Sequence, residues 1–160
     1  MASVVAQQLK QTRAFGSAEQ EVVLGLQLAS ARIIEPWERF LKTHAELSLN
    51  QYNVLRILRG SHPAGLPSGE IAGRMVYRDP DVTRLVDRLQ KRGLLTRLRN
   101  QRDRRVVTVR ITEKGLDLLA RLDEHVDRYP RRVLANVGPT KLKQLIGLLE
   151  QVLSGLGTFP

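Results

Sequence analysis

Apolar residues recur at helical spacing from Ala18 to about Thr43, at Leu24, Leu28, Ala31, Ile34 (or Ile33), Trp37 and Leu41, and predict one long helix. Pro36 lies inside this run and should kink it, because proline lacks an amide N–H and crowds the preceding turn. Residues 1–17 are polar and loosely patterned, and read as a mobile arm or a frayed helix start. Ser48-Leu-Asn-Gln51 has the form of a capping box, and the helix it opens places Tyr52, Leu55 and Leu58 on one face. The breaker-rich stretch Gly60–Gly65 ends that helix. A short helix from about Pro67 to Met75 follows, with Ile71, Ala72 and Met75 inward. Asp79-Pro80 reads as an N-cap with proline at the first helical position. That helix turns Val82, Leu85, Val86 and Leu89 inward and stops at Gly93, which suits a left-handed C-terminal residue.

Residues 94–99 and 106–111 are rich in Leu, Val and Thr and predict two strands around the polar, basic segment Asn100–Arg105. Two strands cannot stand alone, so the hairpin must lean on the helices. Thr112 is the expected N-cap of a helix with Leu116, Leu119, Leu122 and Val126 inward, bent or broken at Pro130. The last helix starts near Pro139 and carries Leu142, Leu145, Ile146, Leu149, Val152, Leu153 and Leu156. That stripe is wide for a terminal helix, and subunit association is its natural outlet. The expected fold is mainly α with a small β-hairpin wing. A winged helix-turn-helix lobe over 47–115 is flanked by dimerisation helices at 18–46 and 116–160, after the arm at 1–17.

Charge sharpens this picture. The chain has 160 residues and a formal net charge of +10. Ten basic residues lie between Arg84 and Arg110, opposed only by Asp87 and Asp103, so +8 of that charge sits in about a sixth of the chain. Nearly all of it is arginine, whose planar fork suits phosphate and guanine. An uneven charge of this kind points to a nucleic-acid partner rather than to solubility alone. The absence of cysteine excludes a disulfide framework, thiolate zinc fingers and thiol-based sensing. No apolar run is long enough to span a membrane and no signal-peptide pattern opens the chain, so the cytoplasm is the expected compartment.

A helix pair joined by a short turn presents its second helix to a major groove, and a basic hairpin beside it suits the adjacent minor groove. The residues expected to face DNA are Thr83, Arg84 and Arg88 on the second helix, and Arg102, Arg104 and Arg105 on the hairpin. Asp103 is expected to organise the hairpin by pairing with an arginine or bonding turn amides. Asp81 stands apart, since a carboxylate beside DNA repels phosphate. It reads either as a helix-dipole contact or as an acceptor for a cytosine amine. Asp87 and other acids compete for Arg88.

Val82-Thr-Arg-Leu-Val-Asp-Arg-Leu89, Lys91-Arg-Gly-Leu-Leu95, and Asp103-Arg-Arg105 with Ile111-Thr-Glu-Lys-Gly115 together resemble the MarR (multiple antibiotic resistance regulator) family. The last two segments follow its Asp-x-Arg, five residues, Leu-Thr-x-x-Gly pattern, with Ile for Leu. The resemblance implies a homodimer based on the first and last helices, and binding to a palindromic operator, often as a repressor. It also implies release by small anionic or phenolic ligands held between dimer base and DNA-binding lobe. Many relatives carry Ser or Thr where this chain has Asp79 and Asp81, which leaves the operator sequence open. A constitutive or architectural DNA binder without effector is the alternative.

Trp37, Phe40, His44 and Tyr52 are candidates for lining such a ligand cleft, although core packing competes for Trp37 and Tyr52. His44, His62 and His125 are too far apart in sequence for a metal-ligand motif, and no metal or cofactor is expected. Gly65-Leu-Pro-Ser-Gly69 faintly resembles a nucleophile elbow, but its order is wrong and no strand precedes it. With no phosphate loop or paired-carboxylate site either, an enzyme is not expected.

Overall fold

The computed structural model describes residues 3–77, 81–99 and 107–156. In chain order the elements are α1 (Val4–Gln8), α2 (Ala18–Ala45), α3 (Leu49–Gly60), β1 (Leu66–Pro67), α4 (Ser68–Arg74), α5 (Val82–Lys91), β2 (Leu95–Arg99), β3 (Val107–Ile111), α6 (Glu113–Val133) and α7 (Pro139–Gly155). Two compact units divide the chain, Met1–Arg121 and Leu122–Pro160, with α6 running from the first into the second.

Aliphatic packing builds the first unit. Leu41 and Leu47, Val54, Leu55 and Leu58 of α3, Ile71 of α4, Val86 and Leu89 of α5, Leu95 and Val109 of the strands, and Leu119 of α6 are almost wholly removed from solvent. The inward face of α6 is Leu118, Leu119 and Leu122, while Leu116 and Val126 are half-buried. The long helix α2 buries only Leu41 and Ala45, and leaves Val22, Val23, Leu26 and Ile33 exposed.

Most ends are set by the residues that the sequence marks. Ser48 Oγ accepts from the Gln51 amide at 3.2 Å and Gln51 Oε1 accepts from the Ser48 amide at 3.0 Å, the reciprocal capping box. Gly93 has φ +71, and the Gly93→Gln90 and Leu94→Leu89 amide bonds close α5 in a Schellman arrangement. Thr112 Oγ1 accepts from the Gly115 amide at 3.2 Å and donates to the Gly93 carbonyl at 2.7 Å, so one hydroxyl starts α6 and fastens it to the end of α5. In the first turn of α2, the Glu19 backbone N–H, with help from the Ser17 hydroxyl, holds the Glu19 carboxyl below its ordinary pKa.

Several expectations give way. Of the two readings of 1–17, the helical one has a counterpart in α1, capped by Ser3 and burying Ala6. Helix α6 does not break at Pro130, and α2 likewise continues past Pro36, since a single proline removes one hydrogen bond from a ladder whose remaining bonds persist. Ala72 is half-buried rather than buried. The sheet has a third strand, in the order β1-β3-β2, with Leu66 opposite Val109 and Pro67 opposite Thr108. Pro67 sits on an edge strand, where a missing N–H is tolerated. Gly65 leads into β1 at φ +77, with a Cβ there only 2.4 Å from the Val109 carbonyl oxygen, so only glycine brings the chain this close. The first residue of the helix expected after Asp79 is Val82, and its N-cap is Asp81. Asp79 and Pro80 lie outside the described residues.

Candidate nucleic-acid interface

Helix α5 is strongly two-faced. Val82, Leu85, Val86 and Leu89 are buried, while Thr83, Arg84 and Arg88 are exposed. Three of the residues predicted to meet DNA therefore stand on the open side of one rigid, packed helix. Among the described residues Arg88 has no ion-pair partner, because the neighbouring acid Asp87 engages Arg97 instead.

Arg97 was no more than one member of the basic run in the sequence, and its role depends on folding. From β2 it donates to Asp87 Oδ1, to Gln90 Oε1 at 3.2 Å and to the Thr83 carbonyl at 3.4 Å. One guanidinium thus braces the strand against three positions of α5. Arg92 makes a second brace, donating to the Glu46 and Ala45 carbonyls at 2.7 and 2.9 Å. It ties the end of α5 to the end of α2. Lys114 Nζ reaches the Arg92 carbonyl at 2.8 Å, and Arg110 Nε reaches the Ala64 carbonyl at 2.9 Å. Three of the ten clustered cations, Arg92, Arg97 and Arg110, are structural ties, a distinction that residue type alone could not reveal.

Asp81 is the N-cap of α5. Its Oδ1 accepts from the Arg84 amide at 3.0 Å and its Oδ2 lies 2.8 Å from Arg84 Nε. These are contacts at the helix terminus. Before the helix, the exposed Val76 is held by its amide, which donates to Asn53 Oδ1 at 3.0 Å. The remaining predicted contacts, Arg102, Asp103, Arg104 and Arg105, lie outside the described residues.

The four cleft candidates do come together, as a stack. Trp37 lies on Phe40 with centroids 5.2 Å apart and meets Tyr52 edge-on at 5.6 Å, and Phe40 stacks on His44 at 4.4 Å. Tyr52 is buried and accepts from Arg56 Nη1 at 3.3 Å. The stack joins α2 to α3 through Tyr52, with Trp37 and Phe40 half-buried and His44 exposed. A cavity of about 450 Å³ opens elsewhere between these helices and α5, lined by Ile34, Glu38, Ser48, Leu49, Asn50, Tyr77, Leu85 and Arg88. None of the four aromatic-cluster residues is in its wall. Among the described residues no group of His, Asp or Glu is arranged to hold a metal, and no helix is long and apolar enough to cross a membrane.

Residues 47–107 match the model of the MarR family. A MarR transcription factor from Planctomyces limnophilus is 41% identical in its solved structure, with 86% of this chain and 99% of that one covered and a TM-score of 0.64. The chain belongs to the MarR family. It is also 27% identical over 114 residues to the homoprotocatechuate degradative operon repressor of Escherichia coli, covering 71% of this chain and 75% of that protein. The Streptomyces coelicolor MarR regulator Sco3205, solved in complex with DNA, shares the fold with a TM-score of 0.77 at 23% identity, over 91% of this chain and 92% of that one. This chain is thus a winged-helix member of a family of DNA-binding transcription regulators.

Proposed function

We propose that the protein is a homodimeric repressor that binds a palindromic operator. The observation that carries this reading is α5, which offers Thr83, Arg84 and Arg88 on one side and is packed and braced on the other. A base-reading helix must hold its side chains still relative to the groove, and Arg97 supplies that rigidity from the adjacent strand. The relative named as an operon repressor supports the direction of control. Arg102, Arg104 and Arg105 follow as minor-groove contacts of the hairpin, with Asp103 as their organiser. The dimer draws on α7, whose apolar residues Ile146, Leu148, Leu153 and Leu156 are more than half exposed. Two recognition helices about 34 Å apart would then meet successive major grooves.

A small anionic or phenolic effector is best placed in the cavity beside α5. Arg88 lines that cavity and also belongs to the exposed side of the recognition helix. A bound anion there would compete with DNA for one guanidinium, and by linkage DNA would weaken ligand binding by the same factor.

Selection from a random duplex pool tests the whole reading. The expected product is a palindrome, bound with an affinity that falls with salt at a log–log slope of about −0.9 per phosphate neutralised. Failure to enrich any sequence overturns it. A palindrome whose affinity no phenolic or carboxylate compound changes leaves a constitutive DNA binder.

A further inference from the structure

We propose that Asp81 is a specificity-determining residue that acts through Arg84, presenting its guanidinium end-on to a guanine in the major groove. The inference rests on the operator-binding reading and deepens it at one base pair.

The geometry is that of a clamp on a single residue. Asp81 Oδ1 holds the Arg84 amide at 3.0 Å, and Asp81 Oδ2 holds Arg84 Nε at 2.8 Å. The amide bond fixes where the side chain begins, and the Nε bond fixes which way its plane faces. An arginine has five N–H donors. With Nε engaged, the two terminal nitrogens remain as a parallel pair, the arrangement that matches guanine O6 and N7. The Arg84 side chain is 77% exposed, so this fork points into open space rather than into protein.

Charge explains why an acid is useful at a place where it should repel DNA. Asp81 and Arg84 form a neutral pair, so the clamp adds little to general phosphate attraction. It instead removes rotamer freedom that a long arginine would otherwise lose on binding. The expected signature is selectivity without added affinity. Serine or threonine could cap the helix equally well, but neither carries the second, charged oxygen that reaches Nε. An asparagine keeps the capping acceptor and loses the charge, which separates the two roles of Asp81.

The test uses the full-length protein and the operator it selects from a random duplex pool. One guanine per half-site is expected whose replacement by adenine weakens binding about tenfold or more. Replacing that guanine by 7-deazaguanine removes N7 and leaves the paired cytosine amine intact, and should weaken wild type several-fold. Arg84→Ala should abolish this sensitivity. Asp81→Asn should unfold at the wild-type temperature, bind random duplex as well as or better than wild type, and lose most of the 7-deazaguanine effect. Full sensitivity retained in Asp81→Asn, or in Arg84→Ala, overturns the proposal. So does a selected operator with no guanine of this kind, in which case operator binding itself stands. If no sequence is enriched, the operator-binding reading fails first.

Discussion

The winged lobe and α7 are made of the same aliphatic residues and use them in opposite ways. In the lobe, Leu55, Leu58, Ile71, Val86, Leu89 and Leu95 are buried, and the start of α3, both ends of α5 and the start of α6 are finished by a cap or a long-range tie. In α7 no residue is buried, and Leu145, Ile146, Leu148, Leu149, Val152 and Leu153 all stay exposed, as does Leu156 at its end. Leucine content therefore says little about where a core will be. A core needs several elements to supply facing surfaces, and the lobe draws on four helices and three strands for this. An unmatched stripe on one terminal helix has its use outside the protomer, which is why the proposed dimer is assigned there.

Substitutions can break this contrast, starting inside the lobe. Leu89→Ala leaves a cavity at a fully buried site and should cost about 2–5 kcal/mol, read by denaturant unfolding. A cost under about 1 kcal/mol would mean that the lobe is loosely packed. Gly115→Ala comes next. A Cβ there would stand 2.3 Å from the Leu94 carbonyl oxygen and 2.7 Å from Ile111 Cγ1, so the strand ends and α6 must part. The expected loss is about 1–3 kcal/mol, although alanine is the better helix former.

The brace from β2 to α5 is smaller. Arg97 is 27% exposed in its side chain and Asp87 46%, so solvent weakens their pair. A double-mutant cycle with Arg97→Ala and Asp87→Ala should give a coupling of about 1 kcal/mol in unfolding. Arg97→Ala should weaken operator binding more than its share of the phosphate charge, because α5 loses its stay. Equal loss on operator and random duplex would reduce Arg97 to an ordinary cation. The smallest effect on the protomer's own fold is expected at α7. With Leu149→Asp and Leu153→Asp together, unfolding should change by no more than about 0.5 kcal/mol at concentrations where both proteins are monomers. Sedimentation of wild type at micromolar concentration should show twice 18.1 kDa, and of the variant 18.1 kDa. A variant that still sediments as the dimer would remove α7 from the interface.

What the sequence revealed was chiefly local. The capping box at Ser48 and Gln51, the left-handed Gly93, the Thr112 cap and the start at Pro139 each depend on residues within one turn, and all occur as read. The inward face of α5 was legible because its spacing is regular. Features that rest on distant partners were hidden. Strand β1 is two residues long and contains proline, and it exists only because β3 lies beside it. Arg97 bonds across 7 to 14 residues of chain and Arg92 across 46 and 47, and no window reveals such reach. The cap of α5 was misplaced because two acids flank Pro80 and each has cap chemistry. The stacking of Trp37, Phe40, His44 and Tyr52 on one another joins two helices, and residue type alone did not show it.

Helix α5 divides its letters cleanly, with Val82, Leu85, Val86 and Leu89 in the core and Thr83, Arg84 and Arg88 outside it. No residue serves both lists. A lineage carrying this helix could therefore rewrite its outer letters one at a time, trying new operators, without crossing a valley of unfolded intermediates. Asp81 and Arg84 are the exception, because each is bound to the other. That pair should drift together or not at all, making it the slowest word in an otherwise freely editable text.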